Sequence, residues 1–186
     1  MPNARLPYDI IVTTQPADVA YRGILDRLLN DVVPPMEVYR RTGVGNWASM
    51  RMLAPVIEAV SKNNTNKRNK LLREIGINYP VIFWTMYRHG LMHNDSMPQS
   101  VQLGDESIGW GFNWEQKEAA VVVGNCYSLN PAIIFDNLVS WLRMQLLNNT
   151  HLKDELLQGS ELVVIKPEKV STIKAEFNEM RVEGKK

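Results

Sequence analysis

Trp84-Thr85-Met86-Tyr87-Arg88-His89-Gly90-Leu91-Met92-His93-Asn94-Asp95 holds two of the chain's three histidines, an arginine, and an amide and an acid directly after them. The residues that open it, Val81-Ile82-Phe83-Trp84, form an apolar run that belongs in a core. A buried anchor followed at once by titratable groups fixes where those groups emerge. On a helix, His89 and His93 lie roughly 40° apart and share a face. Arg88 and His93 lie roughly 140° apart and do not converge on an ideal helix. They meet on one phosphate if the helix ends near Gly90, which weakens it by about 1 kcal/mol relative to Ala. They also meet if two chains each supply part of the site.

Working outward, the surrounding segments read as helices. Ala20, Ile24, Leu28 and Val32 repeat every four residues, with Leu25 and Leu29 widening the stripe, and Pro34-Pro35 is expected to end that helix. Asn46 caps a second helix running to about Lys62, with Met50, Leu53, Ile57 and Val60 inward and a kink or late start at Pro55. After Pro98 the period changes to short β-prone pieces at Val101–Leu103, Ile108–Trp114 and Ala119–Val123, a small antiparallel sheet. Asn130-Pro131 then opens a helix with the stripe Ile134, Leu138, Trp141, Leu142 and Leu146. In the tail, Leu162 to Ile165 is β-prone and Ser171 to Arg181 fits an amphipathic helix.

Arg88-His89-Gly90-Leu91-Met92-His93 resembles the arginine, polar residue, short spacer, histidine signature of the HEPN superfamily. Motif helix, short β-prone insert and a further amphipathic helix follow one another as in many bacterial HEPN-like proteins. The resemblance implies an antiparallel helical bundle, with a small antiparallel β insertion, over a single domain of residues 1–186 whose core spans about 16–150. It also implies a homodimer whose two motifs face one cleft, and a metal-independent endoribonuclease needing no cofactor, of the toxin or defence type, with an antitoxin protein as a partner. His93 would move the 2′-hydroxyl proton or protonate the departing oxygen, leaving a 2′,3′-cyclic phosphate. Arg88 would hold the phosphate with its always-charged fork, and His89 would support the site.

Asn94 and Asp95 are placed to orient His93, and Glu58 is an acid on a neighbouring helix. Lys67, Arg68, Lys70 and Arg73 form the densest basic cluster, either a solvated helix face or an RNA-backbone contact. The alternative function is a non-catalytic interaction or nucleotide-binding module, in which Arg88 and His89 merely cap their helix end. A metal held by His89 and His93 needs Asp95 or His151 as third ligand and has no supporting motif, so no metal is expected. Cys126 reads as a small buried hydrophobe. Trp110, Phe112 and Trp114 alternate with Gly111 and Asn113 on a face that either stacks bases or packs the sheet onto helices.

Composition sets the outer limits. A net charge of +1 gives no general basic surface, so RNA would be met through a local patch. The apolar runs are too short for a membrane span, no secretory segment is expected, and the single cysteine fits a reducing compartment. The cytoplasm is the expected location.

Overall fold

A computed structural model describes residues 8–61, 64–85 and 100–183. Over the described residues the chain is mainly helical with two small sheets, and it divides into two compact units.

The larger unit runs from Pro16 to Leu157. Helix α1 (Ala17–Arg27) buries Ala17, Ala20, Tyr21 and Ile24. Pro34-Pro35 does not stop the helical path. Both prolines stand in the first turn of α2 (Val33–Thr42), where helices tolerate proline, and the Val33 N–H just before them donates to the Leu28 carbonyl. The preceding residues, Leu28–Val32, widen into a π turn that carries the chain across the junction. Helix α3 (Asn46–Val60) runs unbroken through Pro55 and is entered from Gly45 rather than capped by Asn46. Pro55 and Arg51, one turn before it, lie on the exposed side of the helix.

Asn64 caps α4 (Thr65–Glu74) by accepting from the amides of Asn66 and Lys67. Pro80 opens the short α5 (Pro80–Phe83) at its first position. Helix α6 (Pro131–Asn148) has the expected start and stripe, with Ile134, Leu138 and Leu142 buried and Trp141 and Leu146 half-buried against the core. It packs against α1, α2 and α3, so it is the central helix of this unit.

The inserted sheet has four strands, β2 (Ser100–Leu103), β3 (Glu106–Phe112), β4 (Ala120–Val123) and β5 (Cys126–Leu129), in the order β2-β3-β5-β4. It is mixed and not purely antiparallel, because β3 and β5 run parallel, with Gly109 opposite Cys126 and Phe112 opposite Leu129. The reason lies in the two connections. Gly124, at φ 58°, makes a tight turn that pairs β4 with β5 as a hairpin. The longer link from Asn113 to Ala119 carries the chain past the place β5 will occupy. Asn130 pins that link, its Nδ2 donating to the carbonyls of Trp114 and Gln116 at 3.1 and 2.8 Å.

The smaller unit gathers the chain ends, residues 1–15 and 158–186. Its β1 (Tyr8–Pro16) pairs with β6 (Leu156–Ile165) in a two-stranded sheet, and α7 (Pro167–Glu183) follows. Lys166 lies 3.8 Å from Asp9. Among the described residues no helix is long and apolar enough to cross a membrane.

Candidate functional site

Arg88, His89, His93, Asn94 and Asp95 lie outside the described residues. What the structure does describe is the approach to them. Ile77, Pro80 and Phe83 are buried, and Trp84 is nearly so, at 7% exposure. The Phe83 and Trp84 rings meet at 6.3 Å. The Arg68 guanidinium sits 4.1 Å from the centre of the Trp84 ring, close enough for a strong cation–π attraction. Sequence reasoning could not show whether the basic helix lies near the motif segment. What the structure shows is that Arg68 of this helix meets Trp84, four residues before Arg88 in sequence.

The four basic residues of α4 are not equivalent. Lys67 pairs with Glu155 at 2.6 Å, and Lys70 approaches Glu74 at 3.8 Å, one helical turn away. Arg68 covers Trp84. Arg73 is exposed and has no carboxylate partner among the described residues. The cluster is therefore partly neutralised, which weakens it as a phosphate track. Glu58 is half-buried in the last turn of α3, the helix that packs on α4, and its carbonyl accepts from the Ser61 hydroxyl at 3.0 Å.

Lys67, Lys70, Leu71 and Glu74 of α4 border a cleft of about 200 Å³ between α1, α4 and α6, on a face that carries neither Arg68 nor Arg73. Buried Val60, Leu71, Leu152 and Ser61 form its floor, Gln145 and Asn149 line it as well, and its rim carries Lys67, Lys70, Glu74 and Glu155, so the surface it offers is mixed and more polar than apolar. Tyr21 and Trp141 form one wall with ring centres 5.7 Å apart. The Trp141 indole donates to Glu74 Oε2 at 2.7 Å. Burial, and then the negative charge of Glu155, push the Tyr21 hydroxyl up to about 12, so it stays neutral at ordinary pH. Sequence reading did not single out Tyr21, Glu74, Trp141 or Glu155 as site residues. Tyr21 and Trp141 sit in or beside core stripes, and nothing local says that an aromatic edge opens into a cleft.

The aromatic hairpin face is used for packing. Trp47 of α3 meets Trp110 edge-on at 5.9 Å, and Trp110 meets Phe112 at the same distance. Trp114 lies over the α2–α3 turn, where a Cβ on Gly43 would fall 2.6 Å from its ring. Cys126 is half-buried at the start of β5. His151 is exposed and its Nδ1 lies 3.9 Å from Asp154. Among the described residues no three His, Cys, Asp or Glu side chains gather to hold a metal. No known protein family, characterised protein or solved structure matches the chain.

Proposed function

We propose that the protein is a metal-independent endoribonuclease of HEPN type, working as a homodimer in a toxin or defence role with an antitoxin protein as its natural partner. The observation that carries this is the coupling of Arg68 to Trp84. It brings a basic helix against buried Trp84, which precedes the Arg88–His93 segment in sequence, and this supports the reading. The four residues from Trp84 to Arg88 span at most about 14 Å fully extended. In the proposed reaction the 2′-oxygen attacks the adjacent phosphorus and its proton passes to His93 of one copy. The departing 5′-oxygen takes a proton from the His93 of the second, and the product is a 2′,3′-cyclic phosphate. Imidazole suits this exchange because its ordinary pKa of about 6.5 lies near working pH. Arg88 holds the phosphate bidentately as charge builds on its oxygens, and His89 supports the pair from the polar position.

A non-catalytic module is favoured by one observation, the pairing of Lys67 and Lys70 with carboxylates, which lowers the attraction for a polyanion. Incubating purified protein with mixed RNA in chelator separates the two. Cleavage to cyclic-phosphate ends that His93→Ala and Arg88→Ala each abolish is the expected result. A folded dimer that leaves RNA intact assigns the chain to the binding module. Activity that survives His93→Ala refutes the assignment of the motif.

A further inference from the structure

We infer that the cleft between α1, α4 and α6 is a binding site for a small single-ring acid, a flat apolar body carrying one carboxylate or phosphate group. Size makes the first selection. Pockets for drug-sized ligands hold about 300–1,000 Å³, whereas a dry cavity of about 150 Å³ accepts benzene. A cleft of about 200 Å³ therefore encloses one ring and a small substituent, and most of a whole nucleotide would stand outside it. The lining makes the second. The tilted Tyr21–Trp141 pair offers an aromatic wall against which a ring can pack, while Ser61, Gln145 and Asn149 keep the rest of the lining polar above the covered floor of Val60, Leu71 and Leu152.

Charge makes the third selection. Lys67 and Lys70 stand three residues apart on one helix, so their stems are neighbours on the same face. An ammonium has three donors, and Lys67 spends one on Glu155. Lys70 is ion-paired with Glu74 at 3.8 Å, beyond hydrogen-bond length, so among the described residues its donors have no acceptor and can turn to a ligand. Glu74 is turned to the Trp141 indole. One anionic group can thus bridge the two ammoniums while both carboxylates keep their partners. The four rim charges sum to zero, so the pull on an anion is local, at the two ammoniums, and a polyanion gains no net attraction. This site shares Lys67 and Lys70 with the helix read as a candidate RNA contact but uses none of Arg88, His89 and His93, so its test does not depend on cleavage.

The test is calorimetric titration of the full chain with benzoate and with phenyl phosphate, alongside benzyl alcohol (ring without charge), acetate (charge without ring) and adenosine monophosphate. Saturable binding of either acid with Kd of about 1 mM or tighter is expected, and the better of the two identifies the head group. Lys70→Ala, at an exposed position, should weaken it about tenfold. Glu74→Gln retains an acceptor for Trp141 and removes a negative charge, so it should tighten binding, a change that a structural role would not produce. The proposal is overturned if neither acid binds, if benzyl alcohol binds as well as benzoate, or if adenosine monophosphate binds as tightly as the small acids. It is also overturned if Lys70→Ala leaves affinity unchanged.

Discussion

Replacing Asn130 by alanine should be among the costliest polar substitutions in this chain. The side chain is 2% exposed and uses both ends. Its Oδ1 accepts from the amides of Ala132 and Ile133 at 3.0 and 3.4 Å, capping α6. Its Nδ2 donates to the carbonyls of Trp114 and Gln116, holding the link that lets β5 lie between β3 and β4. Losing an N-cap costs about 1 kcal/mol. Each carbonyl left without its donor costs about 1 kcal/mol more when burial keeps water away. The sum is about 3 kcal/mol, a large share of the roughly 5–15 kcal/mol that holds a domain together. With a urea slope of about 2 kcal/mol/M, the midpoint should fall by about 1.5 M. Asn130→Ser separates the halves, since serine caps well but is too short to reach the two carbonyls. It should cost about 2 kcal/mol, most of the alanine penalty. The assay is urea unfolding followed by far-ultraviolet circular dichroism. An alanine variant within about 1 kcal/mol of the parent, or a serine variant equal to it, would refute this account of the clamp.

Two further predictions concern packing and titration. Gly43 (φ 68°) and Gly45 (φ 93°) both hold a left-handed backbone, but only at Gly43 would a Cβ strike Trp114. Gly45→Ala should cost the backbone term of about 1–2 kcal/mol, and Gly43→Ala should cost more and raise Trp114 exposure to acrylamide. Equal losses would mean that Trp114 is not packed on the turn. The Tyr39 hydroxyl is buried without a hydrogen-bond partner among the described residues, and burial pushes it up to about 12. Tyr39→Phe should therefore stabilise by about 0.5–1 kcal/mol. A raised folded-state pKa means the native state keeps its proton longer. The contribution of Tyr39 and Tyr21 is thus complete below the unfolded value of 10.0 and is lost as pH rises towards about 12. The urea midpoint should fall across that window, less steeply in Tyr39→Phe. A flat profile would refute the burial of these hydroxyls.

By itself the sequence determined the helical character of the larger unit and the placing of α6. Caps and apolar stripes act over a few residues and leave a local signature, as Asn130-Pro131 followed by Ile134, Leu138 and Leu142 shows. The β-prone insert was legible for the same reason. Local propensity says that Ala120–Val123 is extended but not which strand lies beside it. The parallel pairing of β3 with β5 depends on a link pinned by Asn130, and the sequence betrays only the capping half of that residue. Pro34-Pro35 was misread because a proline pair that ends one helix and one that begins the next look alike until the preceding π turn is seen.

At the candidate site, the sequence placed the chemistry of Arg88, His89 and His93 in one segment and the basic residues in another. Only tertiary structure decided that Arg68 rests on Trp84, that Lys67 meets a carboxylate 88 residues away, and that Tyr21 and Trp141 wall a cleft. The cause is range. Propensity and capping are written within a turn of chain, whereas the partner of a charge or the neighbour of a ring is set by which helices pack together, and that follows from the whole core at once.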